Sequence, residues 1–363
     1  MKTILSTVAI ALMAAATATA QFNAALFPPG NAVPPVDSPQ VVEWLKEIDL
    51  KDVPVFNVNK GAPPQCPTTA LPADQCWRTC QQCHNDDVLV CPTPGVWGLT
   101  FDDGPTQYTP TLLASLKAAG AKATFFVMGT NVVQNPEVLK QEVAEGHHLA
   151  SHTWSHQALT TLTNQQIVAE LKWTEKAVFD ITGHKMKYIR PPYGDMDNRV
   201  RAICKKLGYI VVDWTSDVYD SKDFALNAAK PLGIDEPKLA AAVTAFSTSL
   251  TAYGANPGDK GIITLEHDLY PVTVEFAKRI LPIATQSKLK IQTIAECMNA
   301  LPYQNSSPTN GTNGGNGGSG GSGGNGGSTG GKPNVVKPNG AGSISAKVLM
   351  TVSMTVIAAA LSL

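Results

Sequence analysis

From about residue 95 onward, short apolar runs alternate with helical patterns, and this alternation restricts the chain to a narrow set of folds. The runs occupy 97–101, 123–127, 148–151, 188–190, 209–212, 261–265 and 290–293. Between them the helices are punctuated in the expected way. Thr109-Pro110 opens a helix that Gly120 closes, and Asn135-Pro136 opens one that Gly146 closes. Asn164 starts a longer helix followed by Gly183, and Gly208 follows another that begins at Asn198. A capping residue or Pro at the start and Gly past the end are the usual signs of helix termini. Strands separated by helices pair in parallel and are covered by those helices, giving an α/β open sheet or barrel. A further helical stretch at 234–253 reads as an insertion between strands. No internal repeat is evident. In parallel barrels the chemistry lies on loops at the C-terminal ends of the strands, so functional residues are expected just after the apolar runs.

The two ends stand apart from this pattern. Met1-Lys2-Thr3, an apolar run at 4–16 and Ala18-Thr19-Ala20 form a positive start, an apolar core and a small-residue cleavage site. That order is expected of a secretory leader over 1–20. The stretch 304–338 is dominated by Gly, Ser, Asn and Thr, which cannot bury a core and read as a flexible linker. Asn305 and Asn310 open glycosylation sequons at its start. Then come the small residues at 339–343, a spacer to Lys347 and an apolar tail over 348–363. Small site, spacer and terminal apolar tail match a GPI-attachment signal over 339–363, with Asn339 as the attachment residue. The rival is a single-span anchor, for which the tail is short and carries no charge after it.

About 280 residues remain between the ends, enough for one large α/β domain with a prelude. The 28 Lys and Arg are balanced by 29 Asp and Glu, with no basic run. That balance argues against a nucleic-acid partner and against binding driven by anionic lipid. Of the seven cysteines, Cys66, Cys76, Cys80, Cys83 and Cys91 precede the main pattern, in a Cys/Pro-rich extension over 21–90. In a secreted chain these read as disulfides in preference to a zinc site. Cys91 lies just before the first strand and Cys297 just after the last, so closure of a barrel pairs Cys91 with Cys297. The odd count leaves one thiol, and Cys204, inside a helix of the domain, is the candidate.

Four segments meet the strand-end expectation. Thr100-Phe101-Asp102-Asp103-Gly104-Pro105 offers two adjacent carboxylates, one able to bind a metal and one to act as a base, although the same letters are ordinary turn chemistry. Ser151-His152-Thr153-Trp154-Ser155-His156 offers two histidines four apart. With one carboxylate they complete a three-ligand site that leaves a coordination position for water. Arg190-Pro191-Pro192-Tyr193-Gly194 is a stiff turn holding an Arg that can clamp a carboxylate and an N–H that can stabilise an oxyanion. Thr264-Leu265-Glu266-His267-Asp268 places a histidine suited to general-acid work beside an apolar leucine. Each is weak alone. Together they supply a base, a metal site, an oxyanion donor and an acid, the inventory of metal-assisted acyl hydrolysis.

In this order the segments resemble the polysaccharide deacetylase family (carbohydrate esterase family 4), above all its fungal chitin deacetylases, over about residues 91–300. The resemblance implies a distorted, incomplete (β/α)7 barrel across 91–303. It implies Asp102 as general base, oriented by Arg190, and a divalent metal on Asp103, His152 and His156, zinc first and cobalt second. It further implies the Tyr193 backbone N–H as oxyanion donor, Leu265 as the wall of the acetyl-methyl pocket and His267 as general acid. One motif departs. The family expects Asp-x-x-Asp-Trp after the fifth strand, and this chain has Asp220-Ser221-Lys222-Asp223-Phe224. Phe224 keeps an apolar wall and loses the indole N–H donor. Asp220 opens the match and is taken as the partner of His267, with Asp213 and Asp217 as competitors. Tyr193, Phe224 and Trp214 are expected to touch substrate. The implied activity is removal of acetyl groups from chitin or its oligomers at the cell surface. The expected form is a monomer tethered by GPI lipid at the outer leaflet or held in the wall. Acetylated xylan or peptidoglycan is the substrate alternative, and a non-catalytic wall-binding protein on the same fold is the second rival.

Overall fold

The structure is a computed structural model that describes residues 22–307 apart from 62, 230 and 231. The leader at 1–20, the sequon at Asn310, the Asn339 site, most of the linker and the apolar tail lie outside the described residues. The apolar runs are short and, apart from the last, mostly buried, as expected of parallel strands covered by helices. Among the described residues nine strands result: β1 Val96–Gly98, β2 Thr100–Asp102, β3 Thr124–Val127, β4 His148–Ser151, β5 Tyr188–Ile189, β6 Ile210–Val211, β7 Ile262–Ile263, β8 Glu266–His267 and β9 Lys290–Gln292. Every ladder is parallel, in sheets of order β6-β5-β4-β3-β2-β8 and β7-β1-β9.

Seven runs become nine strands because two of them change partners midway. The first is interrupted at Leu99: β1 pairs with β7 and β9, and β2 pairs with β3 and β8. The stretch from 261 onward splits in the same way into β7 and β8. His267 therefore lies within a strand, directly across from Asp102, and not on a loop beyond a strand end. The irregular chain after β6 is stitched to this same edge. Thr215 N–H donates to Ile263 O at 3.0 Å, Leu265 N–H to Tyr219 O at 3.0 Å and Ser221 N–H to Leu265 O at 2.9 Å.

The helices follow the punctuation closely. The extension carries α1 Pro39–Glu47 and the single turn α2 Arg78–Gln81. The domain carries α3 Thr109–Ala118, α4 Gly129–Gln134, α5 Pro136–Ala144, α6 Asn164–Thr182 and α7 Asn198–Lys206. After β6 come α8 Phe224–Ala229 and α9 Glu236–Ala255, the inserted helix, and then α10 Pro271–Gln286 and α11 Ile294–Cys297. Thr163 and Gln166 close a capping box at the start of α6, and Gly183 at φ 74° ends it. Trp97, Leu99, Phe101, Leu112, Phe125 and Ile167 are fully buried in the core between helices and sheet.

The extension is packed onto the domain by aromatics. Phe27 stacks on Trp154 with centroids 6.2 Å apart, and Trp44 meets Trp173 edge-on at 5.2 Å. Its cysteines pair as Cys66–Cys80 and Cys76–Cys83, while Cys91 bonds Cys297 across a sequence separation of 206. Cys204 is a free, buried thiol. The Asn305 side chain is exposed and engaged with backbone, accepting from Lys185 N–H at 3.0 Å and donating to Gly183 O at 2.8 Å. Among the described residues, no helix is long and apolar enough to cross a membrane.

Candidate active site

The carboxyl ends of β2, β4 and β5 and the strand β8 converge on a cavity of about 550 Å³. It is lined by Asp102, Asp103, His152, His156, Arg190, Tyr193, Trp214, Leu265 and His267, all chosen from sequence, and also by Pro63, Asn227, Leu269 and Tyr270, which were not. Asp102 ends β2 and is buried. Its Oδ1 accepts from Arg190 Nη1 at 2.8 Å, and the same Nη1 donates to Thr100 Oγ1 at 2.7 Å. The Arg190 guanidinium rests 4.3 Å from the Phe126 ring centroid. Such a packed and paired Arg is a fixed clamp. Burial pushes the Asp102 carboxyl up to about 7, against the positive charges of Arg190 and His267 that oppose it. A carboxylate poised near neutrality is suited to taking a proton.

Asp103, His152 and His156 bring one ligand atom each to within 4.8 Å of one another. Asp103 Oδ1 lies 3.5 Å from His152 Nε2 and 3.3 Å from His156 Nε2. That oxygen is buried and, among the described residues, has no hydrogen-bond partner. A buried carboxylate oxygen without a donor is costly unless a cation takes the place of one. His152 Nδ1–H donates to Arg190 O at 2.7 Å, which turns Nε2 toward the ligand cluster, the usual outer support of a metal-binding histidine. Burial, with His156 beside it, drives His152 down to about 3, so the ring is neutral and its lone pair available. These observations fit a divalent metal with an open coordination position.

On β8, beside Asp102 of β2, His267 Nδ1–H donates to Asp223 Oδ1 at 2.6 Å, and the His267 backbone N–H donates to Asp223 Oδ2 at 3.0 Å. Burial alone would lower the His267 pKa. The Asp223 carboxylate and its hydrogen bond, with Asp103 and Asp102 beyond, overcome that effect and raise it to about 10. The carboxylate paired with His267 is therefore Asp223, which corrects the choice of Asp220. The backbone of Asp220 is taken up in a bridge to Leu265, and its Oδ1 accepts from Lys222 N–H at 2.9 Å. The turn at Lys222, with φ 52°, carries the chain on so that the second aspartate of the motif faces the histidine. Asp213, a competitor, is fully buried and paired with Arg78, and Asp217 opens a single turn that runs to Tyr219.

The remaining walls are apolar. Leu265 is buried, and the ring of Phe224, half exposed, stands edge-on to His267 at 5.6 Å. Tyr193 packs edge-on against His156 at 4.7 Å, and among the described residues no acceptor takes its N–H. Asp268, absent from the expected set, backs the site: a Cβ on Gly104 would lie 2.2 Å from its carboxylate, so only glycine fits there. The adjacency of Asp268 to His267 was the only sequence signal for it.

The arrangement can be set beside known proteins. The polysaccharide deacetylase profile matches residues 90–212. Chitin deacetylase 1 of Cryptococcus neoformans var. grubii is 40% identical over 292 residues, covering 77% of this chain and 60% of that protein. Chitin deacetylase 1 of Saccharomyces cerevisiae is 35% identical over 276 residues, covering 74% of this chain and 80% of that protein. Among solved structures, the chitin deacetylase from the fungal pathogen Colletotrichum lindemuthianum is 30% identical at a TM-score of 0.53, covering 60% of this chain and 92% of that one.

Proposed function

The chain belongs to the polysaccharide deacetylase family, and we propose that it hydrolyses the N-acetyl groups of chitin to give chitosan and acetate. The observation that carries this reading is that Asp102, set near neutrality, and His267, held protonated, are partners on neighbouring strands and line one cavity with the metal-ligand cluster. One residue can accept a proton while the other delivers one, as hydrolysis of an amide requires. The chitin deacetylases among its relatives support the choice of polymer.

Asp103, His152 and His156 would hold the metal, with zinc first and cobalt as the alternative. When bound, it supplies a Lewis acid for the acetamide carbonyl and lowers the pKa of water. Arg190 fixes Asp102 to receive the proton of the attacking water. The Tyr193 N–H, without an acceptor among the described residues, is set to hold the developing oxyanion. Leu265 and Phe224 enclose the acetyl methyl and exclude water. Asp223 keeps His267 protonated, and Nδ1 is committed to that carboxylate, so Nε2–H passes its proton to the leaving amine.

We further propose secretion, attachment through GPI lipid at 339–363 with Asn339 as the site, glycans on Asn305 and Asn310, and action as a monomer at the cell wall. The domain boundaries proposed from sequence, a 21–90 extension before a 91–303 catalytic domain, go with this reading. The test is acetate release from chitin oligomers, acetylated xylan and peptidoglycan, with and without chelator. Release from chitin oligomers should be fastest, cease with chelator and return with zinc or cobalt. His152→Ala should lose both the metal and the activity. Full activity in a metal-free preparation would overturn the mechanism, and preference for xylan or peptidoglycan would overturn the substrate. No release from any of them would favour the wall-binding alternative.

A further inference from the structure

Three consecutive residues of the extension, Trp77, Arg78 and Thr79, grip the two segments that flank the oxyanion turn. Trp77 is fully buried, and its Nε1–H donates to Asp195 Oδ1 at 2.8 Å. Thr79 Oγ1–H donates to the same oxygen at 3.1 Å, and Arg78 N–H donates to Met196 O at 2.9 Å. The Arg78 side chain reaches the other segment. Its Nε–H donates to the Asp213 carboxylate, which is wholly buried, and its guanidinium lies 4.5 Å from the Trp214 ring centroid. The two grips meet at Gly194. A Cβ there would lie 3.1 Å from Trp214 and 3.3 Å from the Arg78 guanidinium.

Tyr193, the residue before it, has φ 61°. A non-glycine residue keeps that conformation only where its surroundings enforce it. Among the described residues no acceptor takes the Tyr193 N–H. Enforcement therefore falls to the turn's own bonds, Gly194 N–H to Pro191 O at 3.0 Å and Asp195 N–H to Pro192 O at 2.9 Å, and to Gly194 and Asp195. The extension holds those two residues together with Thr160, whose N–H and Oγ1–H donate to Asp195 Oδ2 at 2.9 and 2.6 Å. Arg78 also reaches the base indirectly, because Asp213 O accepts from Arg190 Nη2 at 3.4 Å and Arg190 clamps Asp102. Cys66–Cys80 and Cys76–Cys83 bracket the tripeptide, so the chain carrying Arg78 is itself constrained.

We infer that Trp77–Thr79 positions the oxyanion turn, with Arg78 as its principal positioning residue. The extension is then a working wall of the active site and not only a strap around the domain. This rests on the deacetylase reading above. Removing Arg78 leaves the buried Asp213 carboxylate without its ion-pair partner and frees Trp214 and Gly194 to shift. A displacement of about 1 Å at a reacting group costs up to roughly 10²-fold in rate.

The experiment measures acetate release from an N-acetylglucosamine tetramer by the metal-loaded protein, as wild type, Arg78→Ala and Arg78→Lys. In Arg78→Ala, kcat should fall about 10- to 100-fold, with KM, metal stoichiometry and near-ultraviolet circular dichroism little changed. Methylguanidinium ion should restore part of that kcat and leave the wild type unaffected. Arg78→Lys keeps the charge and loses the planar stack, so it should fall between the two. If Arg78→Ala does not fold, Arg78→Lys decides: a several-fold lower kcat at unchanged KM supports the inference. Values of kcat within about twofold of wild type, or a loss that tracks the folded fraction and resists methylguanidinium, overturn it. A wild type that releases no acetate would refute the deacetylase reading instead, and this inference with it.

Discussion

Asp223→Asn is the perturbation that reads the proposed acid most directly. Two unit charges about 4 Å apart interact by roughly 4 kcal/mol at an effective dielectric of 20. At 1.36 kcal/mol per pKa unit, that is about three units. Removing the Asp223 charge should therefore bring His267 from about 10 down toward 7. His267 acts only when protonated, so activity is lost as pH rises through its pKa. The basic limb of kcat/KM should move about three units toward acid in Asp223→Asn. At pH 8.5 only about 3% of a histidine with pKa 7 is protonated, which predicts a loss of about 30-fold there and little loss at pH 6. A bound cation lowers the pKa in both proteins, so the separation between the two profiles is the quantity to measure. The assay is acetate release from chitin oligomers between pH 5 and 10, with metal content checked at each end. Asp220→Asn should move the limb by less than one unit, because its carboxylate is turned to the Lys222 N–H. A fixed limb in Asp223→Asn, or a larger shift in Asp220→Asn, would refute the reasoning.

Four further outcomes are expected. Cys297→Ser opens a loop of 206 residues and should lower unfolding free energy by up to about 5 kcal/mol, read by denaturant titration; Cys204→Ser, at the free thiol, should leave the remaining disulfide pattern intact in peptide mapping. Phosphatidylinositol-specific phospholipase should release the protein from membranes, and truncation before Val348 should send it into the medium; a tag placed after Leu363 that survives in the mature protein would show a true span instead.

Much of this was legible because local chemistry determined it. Pro136, Gly120, Gly183 and Gly208 mark helix ends whatever surrounds them, and the helices start and stop within a residue or two of those marks. The four strand-end motifs name their own residues, and the structure brings all four to one cavity. The partner swaps at Leu99 and after Ile263 were not legible, since an apolar run looks the same whichever neighbour it pairs with. Asp220 was taken as the partner of His267, against Asp213 and Asp217, and Asp223 was passed over for a related reason. Both carboxylates fit the motif, and only the bridge from Asp220 to Leu265 and the turn at Lys222 decide which one faces His267.

The backbone of the site explains why its support could not be read at all. Asp103, Thr153, His156 and Tyr193 all have positive φ, between 59° and 78°. Each such residue costs about 1–3 kcal/mol and persists only where its surroundings hold it. The braces come from elsewhere in the chain. Asn131, on α4, donates to Asp103 O at 2.6 Å. Glu170, on α6, accepts from the N–H groups of Trp154 and Ser155 at 2.8 Å each, fixing the loop between the two histidines. The turn at Tyr193 is held by Trp77, Arg78 and Thr79, more than 110 residues earlier in sequence. A motif records the residues that would meet the metal and substrate. The residues that pay for their conformation belong to other elements, and on sequence alone they are an ordinary helical glutamate, an asparagine and a Cys-rich prelude. The reactive geometry is therefore a property of the whole fold, and the extension is as much a part of it as the strands.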